Sequence, residues 1–169
     1  MNDHALLDRL AQRLWDERHV VTVLLYKLTV TRLLLAADER RFVADALREV
    51  EHAVELLRVG EQARDTAVRD LAGAWRRDPE DLTLDELARI APEPYGQTFR
   101  EHLAAFRTLA GEIEGATREN RALARTDLSS VADQLDLLTG ASATTSTTYD
   151  AQGQLDPSTP VGGRLREVF

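Results

Sequence analysis

A chain of 169 residues with 29 acidic and 21 basic side chains, formal net charge -8, lacks the basic face needed to displace counterions from nucleic acid or to dock on anionic lipid. It contains no cysteine, which excludes disulfides, thiolate zinc sites and a cysteine nucleophile. Hydrophobic residues reach 43% with only 5% aromatic, and 30% are charged; this Leu-, Ala- and Val-rich mixture suits long helices with one buried stripe.

The first helix is expected from about Asn2 to Ala37, a stretch without Gly or Pro. Leu7, Leu14, Val21, Leu28 and Leu35 recur every seven residues, and Leu10 and Leu24 begin a second row that Glu17 and Thr31 interrupt. Leu6, Val20, Leu25 and Leu34 widen the stripe beyond a two-helix seam, so the helix should pack against more than one neighbour. The start, Met1-Asn2-Asp3-His4, has no basic region of the secretory type. The longest apolar stretch, Val20 to Leu28, is broken by Thr22 and Lys27 and is shorter than the roughly 20 residues of a membrane span. A soluble, cytoplasmic protein without membrane insertion is expected.

Asp38 is a plausible N-cap for a second helix reaching about Arg77. Its expected stripe is Val43, Leu47, Val50, Val54, Leu57, Val68, Leu71 and Trp75, with a bend or fraying where Gly60, Glu61 and Arg64 break the seam. Asp78-Pro79 ends it, because the residue before proline is pushed out of the helical region. Thr83-Leu84-Asp85-Glu86 reads as a capping box that starts a short helix, which Pro92 stops. Pro94 stands where a third long helix can begin. That helix carries Phe99, Leu103, Phe106, Ala110, Ile113, Leu123, Leu128, Val131, Leu135 and Leu138, with Gly140 as a C-terminal cap. Gly111, Gly115, Thr117 and Asn120 weaken its middle. Beyond Gly140 the chain turns rich in Thr, Ser, Pro and Gly, the composition of a disordered tail.

The expected fold is therefore all-α: an elongated antiparallel bundle or coiled coil of three long helices with one short connecting helix. A helical domain 1–140 is followed by a flexible tail, 141–169.

Few residues suggest chemistry. Glu49 and His52 form a single Glu-x-x-His, but a dinuclear metal site requires a second such motif and two more inward carboxylates, which the other histidines, His4, His19 and His102, do not supply. Glu17 in an apolar row either pairs with an arginine across the bundle or marks where the helix leaves the core, and a structural pair suits it better than general acid catalysis. Asn120 either sets register or reaches water, with water the preferred reading. Gly111 to Gly115 forms Gly-x-x-x-Gly, and its two glutamates exclude a lipid-embedded dimer while leaving open a close helix approach or simple weakening. No phosphate loop, nucleophile elbow or paired-histidine zinc motif occurs, so no catalytic residue, metal or cofactor is assigned. Leu123, Leu128, Val131, Leu135 and Leu138 form an apolar helical run after a weak middle. They either complete the core or offer a face to another amphipathic helix.

Several segments in order resemble the FlgN family of flagellar export chaperones. They are Leu14-Trp15-Asp16-Glu17-Arg18, Leu24-Leu25-Tyr26-Lys27-Leu28, Thr83-Leu84-Asp85-Glu86-Leu87-Ala88, Ala91-Pro92-Glu93-Pro94 and Thr148-Tyr149-Asp150. The resemblance implies a non-enzymatic chaperone that holds the C-terminal segments of the hook–filament junction proteins FlgK and FlgL. It would prevent their early assembly and deliver them to the export gate subunit FlhA. It also places the cargo surface in the C-terminal helical part, at Leu123, Leu128, Val131, Leu135 and Leu138, with Tyr149 beyond. The alternative is a helical adaptor without an export client.

Overall fold

A computed structural model describes residues 3–143, with side-chain surroundings for residues 3–135. Four α-helices follow in order: α1 (Asp3–Ala36), α2 (Arg40–Trp75), α3 (Leu84–Ile90) and α4 (Tyr95–Ala143), with a 3-10 turn at Pro79–Asp81 between α2 and α3. Among the described residues there is no strand, so the all-α expectation holds. The chain divides into two compact units, Met1–Leu123 and Ala124–Phe169. The first contains α1 to α3 and most of α4; the described part of the second is the last stretch of α4. The expected tail lies outside the described residues from 144 onward, and Gly140 does not cap: α4 continues through it to Ala143. A mid-helix glycine costs roughly 1 kcal/mol relative to alanine, which is not enough by itself to stop a helix.

The connections have clear local causes. Asp38, expected to start α2, instead ends α1. It sits at φ 55, and the amides of Asp38 and Glu39 donate to Leu35 O at 3.2 Å and Leu34 O at 2.9 Å. This is a Schellman closure with an aspartate in the left-handed position, which Asp tolerates better than most residues. The N-cap of α2 is Glu39, whose side chain makes no capping bond. Arg76 at φ 53 closes α2 similarly, with Arg77 N donating to Ala72 O at 3.0 Å. Asp78 then caps the 3-10 turn by accepting from Glu80 N at 3.0 Å. Thr83 Oγ1 accepts from Glu86 N at 3.2 Å, half of the expected capping box. The Glu86 carboxylate is engaged instead by Arg77 and Arg89. Pro94 immediately precedes α4, and Glu93 caps that helix by accepting from Gln97 N at 3.1 Å.

In the first unit α1 and α2 run antiparallel, joined by Arg9–Asp70 at 3.0 Å, Arg64–Glu17 at 2.6 Å and Lys27–Glu49 at 2.6 Å. No other pair of long helices has backbones so close among the described residues. The reason is a seam of small residues that sequence reading passed over: Ala46, Ala53, Gly60 and Ala67, one every seven residues, with the three alanines buried. Small side chains at the contact let helix axes approach. The expected α2 stripe is therefore rotated at its N-terminal end, where Leu47 is 48% and Val54 50% exposed. No fraying occurs at Gly60, which lies opposite Glu17 in an uninterrupted helix.

The first turns of α4 attach to α1 through side chains. Tyr95 Oη donates to Asp8 Oδ1 at 2.6 Å, and His102 meets Trp15 edge-on at 5.2 Å between ring centres. The main core gathers here, around Leu6, Leu7, Leu10, Leu14, Leu71, Leu82, Leu87 and Phe99. Burying each such side chain contributes about 1.5–3 kcal/mol. Further along, Arg32 pairs with Glu119 at 2.5 Å, and Asn120 Nδ2 donates to Leu28 O at 3.0 Å. Asn120 thus bonds across to α1 rather than reaching water, correcting the preferred reading. The α1 and α4 partners rise in parallel order along both helices. Helix α1 also contains an 18-residue window of mean hydropathy 1.5, long and apolar enough to meet the length-and-composition criterion for a membrane span. The sequence reading placed it below that criterion, yet its Lys27 and Arg32 are committed to ion pairs with α2 and α4.

Candidate functional site

Two apolar surfaces are candidates. The first is a groove of about 760 Å³ within the first unit. Its floor is α1, through Leu10, Leu14, Val21 and Leu24; α2 supplies one wall through Leu57 and Val68, and α4 the other through Phe106, Ala110 and Ile113. The segment Leu82 to Leu87 closes one end. These groups arrive together because α2 hugs α1 through its small-residue seam while α4 is held at side-chain distance, leaving a trough between the two walls.

Glu17, 4% exposed, accepts at its Oε1 from Nη1 of Arg64, a groove-lining residue, at 2.6 Å. Burial raises its pKa above the ordinary 4.5 more than the Arg64 guanidinium lowers it, and Glu61 and Asp65 add to the rise. Its Oε2 finds no hydrogen-bond partner among the described residues. The arginine expected opposite Glu17 is thus Arg64, one of the residues that seemed only to interrupt the α2 stripe.

The second surface is the exposed face of α4 in the second unit. Leu128 is 71%, Val131 38% and Leu135 55% exposed, and their i, i+3, i+7 spacing puts them on one helix face. Leu123 is half-buried and belongs to the first unit. The side chain of Leu138 and the whole of Tyr149 lie outside the described residues.

Glu49 is engaged by Lys27, His52 is exposed, and among the described residues no group of three or more His, Asp or Glu is placed to hold a metal ion. His102 is 1% exposed, and neither ring nitrogen has a hydrogen-bond partner among the described residues. Burial first, then the charge of Arg18, holds its pKa below the ordinary 6.5, opposed by Glu101.

The groove was the part that sequence reading missed. Its wall residues Leu57, Val68, Phe106 and Ile113 all fall in the apolar stripes that the sequence assigns to the helices, and the available signal is the break at Gly60, Glu61 and Arg64.

The family model for the FlgN protein matches residues 1–157 of this chain. The chain belongs to the FlgN family. That family is one of flagellar export chaperones and not of enzymes. No curated protein and no solved structure matches the chain.

Proposed function

We propose that this FlgN chain is a cytoplasmic type III export chaperone that binds the C-terminal segments of the hook–filament junction proteins FlgK and FlgL. In this reading it keeps those segments from assembling early and delivers them to the export gate subunit FlhA. The three long helices act as a bundle that presents Leu123, Leu128, Val131, Leu135 and Leu138, with Tyr149, to the client. The observation that carries the reading is the exposed face of Leu128, Val131 and Leu135 in a family of chaperones. An amphipathic client helix laid on that face would remove this apolar surface from water. Ordering the client costs about 2–5 kcal/mol, which leaves binding reversible without nucleotide hydrolysis by the chaperone.

The test is calorimetric titration of the chain with the FlgK and FlgL C-terminal segments of the same organism, followed by circular dichroism. Saturable binding with a gain of helix is expected, and Leu128→Asp should weaken it about tenfold, or roughly 1.4 kcal/mol, in a fully helical variant. Undiminished binding by that variant would remove the α4 face from the reading. No binding by the wild-type chain would remove the FlgK and FlgL assignment.

A further inference from the structure

We infer that the groove of the first unit is a second docking site, which takes one amphipathic helix of a partner protein, apolar on its inner face and flanked by lysine or arginine. The α1 floor from Leu10 to Leu24 spans 15 residues, about 21 Å of helix rise, which matches some four turns of an inserted helix. The trough is open along one side and its lining is overwhelmingly apolar, with Leu57, Val68 and Ile113 only half-buried on its walls. A small-molecule pocket would instead surround its ligand and aim polar groups inward from the floor. A helix laid between α2 and α4 would cover those half-buried side chains as a fourth member of the bundle.

The charge of the occupant follows from the rim. Asp65 on α2, Glu80 on the 3-10 turn and Glu114 on α4 border the trough, and all three are exposed. The single basic residue in the lining, Arg64, is drawn to Glu17 at 2.6 Å and more loosely to Asp65 at 3.5 Å. Among the described residues, Glu114 makes a long contact, 3.8 Å, to Arg118. Three carboxylates around an apolar trough, on a chain of net charge -8, favour lysine or arginine on the shoulders of the inserted helix and disfavour an acidic one. This site is separate from the α4 face described above, and the inference does not depend on which flagellar protein that face binds.

The experiment uses the full chain and a fluorescein-labelled 14-residue peptide of alternating leucine and lysine in helical period, read by fluorescence anisotropy. A matched peptide with glutamate in place of lysine serves as control. Saturable binding of the lysine peptide that weakens with added salt is expected, with at least tenfold weaker binding of the glutamate peptide. Ala110→Arg changes an exposed residue on the groove wall, so the fold should survive, as circular dichroism would verify. It should weaken the lysine peptide at least tenfold, and Glu80→Lys severalfold. Leu128→Asp should leave that affinity unchanged.

Equal binding of both peptides would overturn the charge assignment. Loss on Leu128→Asp but not on Ala110→Arg would overturn the groove while leaving the α4 face intact. Absence of peptide binding, together with a dimer in analytical ultracentrifugation that Ala110→Arg dissociates, would assign the groove to a second copy of this chain and overturn the proposal.

Discussion

The two ends of the α1–α2 hairpin are built on different plans. At the end holding the start of α1, large side chains interlock: Leu6, Leu7, Leu10, Leu14, Leu71, Leu87 and Phe99 are all at most 2% exposed, and α3 and the start of α4 seal them. Toward the α1–α2 turn the seam is made of Ala46, Ala53 and Gly60, Thr31 is buried with its hydroxyl on Lys27 O, and Leu33, Phe42, Leu47 and Val54 remain exposed. One end is held by apolar volume. The other is held by close backbone approach and polar bonds, with apolar side chains left exposed.

Truncating the core should separate the two ends most clearly. Phe99→Ala should cost about 3–5 kcal/mol in urea unfolding, whereas Leu47→Ala, a truncation at a half-exposed site, should stay within about 0.5 kcal/mol. Similar costs at both sites would mean that the second end is also closed by apolar packing.

The buried pair tests the join between the ends. Arg64→Ala should cost about 3 kcal/mol, because it strands the Glu17 carboxylate; the arginine's own partial exposure keeps the figure at the low end for such pairs. Glu17→Gln should be neutral or slightly stabilising at pH 7, since burial already disfavours the charged form. A large loss on Glu17→Gln would show that the charge itself stabilises this fold.

Glycines in α4 should respond with opposite signs. A Cβ at Gly96 would stand 2.9 Å from Ala91 O, so Gly96→Ala should cost roughly 1–3 kcal/mol. At Gly115 a Cβ would meet nothing within 4 Å, and Gly115→Ala should stabilise by about 0.5–1 kcal/mol. Thermal unfolding of the two variants checks the pair; destabilisation by both would mean that α4 needs glycine for more than clearance.

The smallest effect is in pH dependence. The lowered pKa of His102 means that its contribution is full above 6.5 and declines as pH falls from there toward the folded value, because the unfolded chain takes the proton first. Glu17 acts in the opposite sense: with its pKa raised, stability is greatest below 4.5 and is lost as pH rises through the folded value. The two oppose each other between pH 5 and 8, so the test is a difference: relative to the wild-type chain, His102→Phe should lose a component of the urea midpoint that falls on acidification. An unchanged slope would place the titrating group elsewhere.

Much was legible from local pattern. Helix periodicity located α1, α2 and α4 to within a few residues, Asp78-Pro79 and Thr83 marked the connection, and the resemblance carried by segments such as Thr83 to Ala88 agreed with the family match. These features are read from neighbours along the chain, where backbone sterics and hydrogen-bond capping act over a few residues.

What periodicity could not reveal was which of two adjacent faces of α2 meets α1. A row of alanines carries little hydrophobic signal beside Leu47 and Val54, yet close approach of two backbones favours the smaller residues. Only the tertiary structure decided that contest, and with it that Glu17 meets Arg64, that Asn120 reaches Leu28, and that a groove opens between α2 and α4. Each depends on the distance between helices far apart in sequence, and that distance is set by the side chains trapped between them.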